Sequence, residues 1–196
     1  MLKNSLRAVA VLALIAAVAA PAAVAAPEPV PVPTEAAAAV SLSRSSLKGE
    51  GRLAYPMADE EVRFSVDAHS TFGPGFLPTR SWGTFRLSHT YPAQDGKPAQ
   101  TYWGEFKVDC LTTGGPTATV TGTLVRTSPG HPWLDVLDPH FRMGASFLVP
   151  PRGAGPSRIG LSGGTLKGEP LLTRCMAPAA NSQIVEGGFD LRDRRS

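Results

Sequence analysis

Apolar and polar residues alternate strictly through Val62-Arg63-Phe64-Ser65-Val66-Asp67-Ala68-His69. An extended chain sends successive side chains to opposite faces, so a period of two describes a strand with one buried and one wetted face. The same alternation sets Phe85, Leu87, His89 and Tyr91 against Thr84, Arg86, Ser88 and Thr90, and Phe106, Val108 and Cys110 against Glu105, Lys107 and Asp109. It returns with Ala118, Val120, Gly122 and Leu124 against Thr117, Thr119, Thr121 and Thr123, whose β-branched side chains suit an exposed pleated face. Further strands are predicted over residues 48–55, 141–149, 157–162 and 183–191. Asp95-Gly96, Gly114-Gly115-Pro116, Ser128-Pro129-Gly130 and Pro150-Pro151-Arg152-Gly153 supply turn chemistry between them. No sustained helical stripe competes with this pattern. The expected fold class is all-β, a single antiparallel β-barrel or β-sandwich of about eight strands.

The N-terminus has a different character. Lys3 and Arg7 precede an apolar run from Ala8 to Ala20, followed by Pro21 and small residues, the pattern of a signal peptide cut near Ala25. That run is shorter than the ~20 residues a spanning helix needs, and none comparable follows it. Residues 1–25 are read as signal peptide, 26–46 as a disordered Pro/Ala-rich linker, 47–192 as a single β-domain and 193–196 as a C-terminal tail. Localisation is therefore expected to be secreted, with no membrane span after cleavage.

Losing Lys3 and Arg7 leaves 17 basic against 16 acidic residues, a balance that argues against nucleic-acid binding. Cys110 and Cys175 are the only cysteines, so an exported chain can form one intramolecular disulfide. Cys110 shares the parity of Phe106 and Val108, which predicts an inward side chain with Cys175 passing over the barrel interior or its rim.

Several segments are recognisable together: Glu60 to His69, Gly83-Thr84-Phe85-Arg86-Leu87-Ser88-His89, Gly104-Glu105-Phe106-Lys107-Val108-Asp109-Cys110-Leu111, Ala118-Thr119-Val120-Thr121-Gly122 and Ile184 to Phe189. Over most of residues 47–191 the chain resembles a family of small secreted actinobacterial proteins labelled repetin-like. The resemblance implies an all-β secreted domain and carries over no catalytic residue. The proline-rich insertion from Thr71 to Pro78 departs from it.

Candidate sites are few. Gly160-Leu161-Ser162-Gly163-Gly164 satisfies Gly-x-Ser-x-Gly, yet the strand-to-helix context of a nucleophilic serine is missing, and a glycine-rich strand end is the expected reading. His131, Asp135, Asp138 and His140 place imidazoles and carboxylates in one loop, the weak metal candidates of this chain, but their spacing matches no standard signature. His89 shares its parity with Phe85 and Leu87; it is either a satisfied core histidine or, with Phe64, Phe85 and Phe106, a ligand contact inside a barrel. Trp82, Tyr91, Tyr102 and Trp103 are expected to pack across strands, with a sugar-stacking platform as the alternative. No cofactor is expected and no catalytic constellation is visible. The reading that follows is a secreted, non-enzymatic binding or surface-interaction module for a small apolar ligand, an extracellular protein or a glycan. The alternatives are a small-ligand carrier with a barrel cavity, then a small secreted enzyme.

Overall fold

The computed structural model describes residues 42–57 and 59–193. Its strands are β1 (Ser43–Leu53), β2 (Glu61–Phe72), β3 (Arg80–Tyr91), β4 (Gln100–Gly114), β5 (Thr117–Thr127), β6 (Arg142–Leu148), β7 (Arg158–Leu161) and β8 (Ser182–Arg192). A single turn of helix, α1 (Trp133–Val136), interrupts the β5–β6 connection. Each strand pairs antiparallel with the next, and β8 returns to β1, so the sheet closes into a barrel, although β7 pairs with only Ser182 and Gln183 of β8. The choice between sandwich and barrel is thereby decided.

The alternating residues do what their period implies. Phe64, Phe85, Phe106, Phe141 and Phe147 are all at most 1% exposed, so the middle of the barrel is packed with rings rather than left open. Phe85 stacks on Phe64 at 5.2 Å and on Phe106 at 4.7 Å, while Phe141 and Phe147 meet this stack edge-on. Burying one such side chain contributes about 1.5–3 kcal/mol. At the β3–β4 tip, Asp95 and Gly96 both take positive φ, 52° and 75°, and Gln94 and Lys97 exchange backbone hydrogen bonds around them. Those are the dihedrals of a type I′ turn, which matches the twist of the flanking strands.

Three expectations require correction. Disorder was expected as far as residue 46, yet β1 pairs from Ser43 with Phe72 and from Ser46 with Arg192. Ser45 is buried there and accepts a hydrogen bond from Thr113 at 2.9 Å, so a polar contact with no apolar alternation starts the strand. Asp193, assigned to the tail, accepts from Ser45, Thr113 and the Gly115 amide, and so ties β1, β4 and the β4–β5 turn together at that end of the barrel. The signal-peptide reading, the linker through residue 41 and residues 194–196 lie outside the described residues.

The third correction concerns Cys110. Val108 pairs with Gly122 but Cys110 pairs with Thr121, so Asp109 is an extra residue in β4, a β-bulge that reverses the parity of everything after it. Leu111 and Thr113 turn inward opposite Val120 and Ala118, and Cys110 joins Thr121 on the outer face. It is still fully buried, because residues 172–179 run across the outside of β5, β6 and β7 as a strap. The expected Cys110–Cys175 disulfide is present, and it ties this strap to the outer wall rather than spanning the interior. Arg142 donates to the Leu172 carbonyl at 2.7 Å, Arg174 to the Asp109 carbonyl at 2.7 Å, and Ser146 to the Pro178 carbonyl. A Cβ at Gly144 would overlap the Met176 carbonyl, so only glycine lets the strap lie this close.

Candidate functional site: an aromatic barrel mouth

The two ends of the barrel differ. One carries the Ser45–Thr113–Asp193 hydrogen bonds and, beside them, an open concavity of about 690 Å³ lined by Pro116, Val149, Phe189 and Leu191. The other, where β1, β3, β5 and β7 end and β2, β4, β6 and β8 begin, holds a cavity of about 310 Å³. Tyr55, His89, Tyr91, Tyr102, His131 and Trp133 supply its rings, and Val62, Leu87, Met143 and Leu161 its floor and apolar wall.

The positions follow from register and from one inserted loop. His89 on β3 lies opposite Val62 on β2 and Tyr102 on β4, continuing the inward parity of Phe85 and Leu87 to the rim. There it is half-buried, stacks on Tyr91 at 4.1 Å and meets Tyr55 edge-on at 5.1 Å. Its Nε2 lies 2.5 Å from Oε2 of Glu60, a residue two positions before Val62. Burial pushes the Tyr91 hydroxyl above its ordinary pKa, and the neighbouring Glu60 carboxylate and the Tyr55 and Tyr102 phenols act in the same direction.

The β5–β6 connection folds back over the opposite side of the mouth. The Ser128 hydroxyl accepts from the Trp103 amide, and the Ser128 amide donates to the Trp103 carbonyl, anchoring the loop to β4. His131, only 6% exposed, packs on Trp133 at 4.2 Å and against Tyr102 at 5.4 Å. Trp133 in turn meets Phe141 and Phe106, so the mouth rests directly on the packed core. The Trp133 amide donates to Nδ1 of His131 at 3.1 Å, which makes Nδ1 an acceptor and leaves Nε2 as the protonated nitrogen. Burial lowers the His131 pKa, so the ring is neutral at neutral pH. The ring contacts form a row, His89 to Tyr91 to Tyr102 to His131, with an imidazole at each end.

Of the four expected interior contacts, only His89 lines the cavity. Phe64, Phe85 and Phe106 pack on one another beneath it, because the pleat brings all three to one level of a barrel narrow enough for their rings to fill. The loop candidates are not gathered either. His131 is buried among rings, the His140 amide donates to Asp138 Oδ1 at 2.8 Å in a local turn, and Asp135 is exposed on α1. Among the described residues no three His, Cys, Asp or Glu side chains are placed to hold a metal ion. Ser162 lines the mouth, and its hydroxyl accepts from the Gly144 amide at 2.9 Å, linking β6 to the end of β7.

The four aromatic residues expected to pack across strands divide between the faces. Tyr91 and Tyr102 meet at 6.0 Å in the mouth. Trp82 stacks on His69 of β2 on the outer wall, and Trp103 lies under the Arg86 guanidinium at 4.2 Å. That outer wall carries a shallow concavity lined by Glu50, Arg63, Ser65, Arg86, Ser88 and Trp103. Its cations are already engaged, Arg63 by Glu50, Glu61 and Glu186, and Arg86 by Glu105. Compared with known proteins, the chain matches no family model, no curated protein and no solved structure.

Trp133, Tyr55 and Glu60 are the site residues that alternation misses. Trp133 stands two residues from His131 in a proline-bounded loop, and a bulky aromatic at such a place is the one available sign that a loop turns inward. For Glu60 the chain offers no sign, since an acidic residue before a strand is ordinarily solvated.

Proposed function

We propose that this chain is a secreted, non-enzymatic binding module that takes one small, largely apolar ligand in the open end of its barrel. The observation that carries the reading is the cavity of about 310 Å³, walled by aromatic rings and lying on a core filled below it. A concave, mostly apolar pocket with a few convergent polar groups is the usual form of a small-molecule site, and eight-stranded barrels hold ligands at this scale. The rings are fixed by each other and by the floor, so little ordering remains for binding to impose. Export is supported by the N-terminal charge and apolar pattern, and a disulfide belongs in an oxidising compartment. Among the described residues no helix is long and apolar enough to cross a membrane.

Calorimetric titration of the purified secreted protein with naphthalene tests the reading. Saturable one-to-one binding that disappears when Trp133 is replaced by a lysine supports it. Absence of binding, or binding that Trp133→Lys leaves unchanged in a folded protein, overturns it. Native mass spectrometry of protein taken directly from culture supernatant adds the mass of any retained ligand.

A further inference from the structure

A ring of apolar side chains would accept any greasy molecule, but the two imidazoles of this mouth are not equivalent. His131 uses Nδ1 to accept the Trp133 amide, so the nitrogen it has left for a ligand is a donor, Nε2–H. His89 uses Nε2 toward the Glu60 carboxylate, which can only accept, so the proton of that contact is on Nε2 and the nitrogen left over is Nδ1, an acceptor in the neutral ring. Tyr91 and Tyr102, which meet edge-on at 71°, stand between the two imidazoles, so a planar molecule in the mouth has ring contacts along its length and an imidazole on either side. Tyr91 and Tyr55 are about two-fifths exposed, and the Ser162 hydroxyl accepts the Gly144 amide while keeping its own proton to donate. Among the described residues no arginine or lysine lines the cavity, and the nearby Glu60 carboxylate is held by His89.

Resting on the reading of the mouth as a small-ligand site, we propose that its ligand is an uncharged hydroxyaryl aldehyde or ketone, a planar ring with a hydroxyl that donates to Nδ1 of His89 and a carbonyl oxygen that accepts from Nε2–H of His131. An anionic ligand is disfavoured because Glu60 lies behind His89 and no lining cation offsets it. A purely apolar ligand would leave the buried His131 donor without a partner, a loss that a carbonyl oxygen removes. Desolvated in this mouth, each of the two hydrogen bonds is expected to strengthen binding by about fivefold to tenfold.

Three probes on the unmodified protein separate the possibilities by calorimetry: para-hydroxybenzaldehyde, para-methoxybenzaldehyde, which keeps the carbonyl and removes the donor, and para-cresol, which keeps the donor and removes the carbonyl. The expected result is that para-hydroxybenzaldehyde binds about fivefold to tenfold more tightly than either of the others. His89→Phe should abolish the advantage over the methoxy compound and His131→Phe the advantage over cresol. His131→Gln, whose amide can replace the donor, should restore part of the preference for the carbonyl. If naphthalene binds and the three probes bind alike, the ligand class is wrong while the mouth remains a binding site. If naphthalene and all three probes fail to bind, the binding reading falls and takes this inference with it. The comparison among probes on the unmodified protein stands whether or not either phenylalanine variant folds.

Discussion

Thr121 has the parity of a solvent-facing residue and the environment of a core residue. It lies between the exposed-parity positions Thr119 and Thr123 on β5, yet its relative exposure is 0% because the strap carrying Cys175 covers it. Its hydroxyl donates to Asp109 Oδ1 at 2.5 Å and accepts the Cys175 amide at 3.1 Å, so a single oxygen joins the β4 bulge to the strap. Thr121→Val keeps shape and β propensity and removes only that oxygen. The Cys175 amide then loses its partner under the strap, at a cost of about 1–3 kcal/mol, whereas Asp109 keeps Arg142 at 2.6 Å and loses less. A total of about 2–4 kcal/mol is expected, a large part of the 5–15 kcal/mol typical of a domain. For about 150 residues this corresponds to a fall in Tm of roughly 4–16 °C. Thr119→Val, one strand repeat away and only partly buried, should stay within about 0.5 kcal/mol. Chemical denaturation of the two variants side by side measures the difference. Equal and small effects would refute the argument, since they would mean that the strap contributes nothing at Thr121 and that the bulge does not place Cys110 beneath it.

Other outcomes follow from the same geometry. Phe106→Ala removes a ring in contact with Phe85, Trp133 and Phe141 and should cost about 3–5 kcal/mol in denaturant melts, while Lys107→Ala on the outer face should be nearly silent. Replacing both Cys110 and Cys175 with Ser should lower stability by about 4 kcal/mol in the chain-entropy account of a loop spanning 65 residues, and limited proteolysis should then cut within residues 165–181 first. Burial holds the His131 pKa below the ordinary 6.5, so the folded ring stays neutral while the unfolded chain takes up a proton; its contribution is whole above about 6.5 and is lost as the pH falls below that value, and His131→Gln should flatten that part of a plot of Tm against pH. For Glu105, burial works to raise the pKa but Arg126 and Arg86 outweigh it and bring it below the ordinary carboxylate value. Its stabilisation is present above about pH 4 and lost as the pH falls through the depressed value, so Glu105→Gln should blunt the onset of acid unfolding in a circular-dichroism titration.

Alternation made most of this barrel legible, because closing a sheet leaves each strand one packed and one wetted face and a period of two records which is which. Val62 to His69 is correct residue by residue for that reason, Phe85 to His89 keeps the expected register while Tyr91 at the rim is exposed, and Asp95-Gly96 marks its own turn by requiring two positive φ angles. The errors arise where the period stops carrying the information. At Asp109 one extra residue reverses the pleat, and no residue type there announces it: Val108, Asp109 and Cys110 read as in, out, in under uninterrupted alternation, and as in, bulged, out under the observed register. Cys110 is apolar and buried in both cases, so hydrophobicity alone cannot separate an inward cysteine from an outward one covered by a strap. The mouth escapes for a related reason. Its rings come from strand ends and from the aperiodic loop around His131 and Trp133, whose placement depends on the Ser128–Trp103 hydrogen bonds and on contact with Phe106 and Phe141 across the barrel. A local pattern can report which side of a strand is buried; what covers that side, whether core, strap or inserted loop, is decided by residues distant in the chain, and the aromatic mouth of this barrel is built almost wholly from such distant partners.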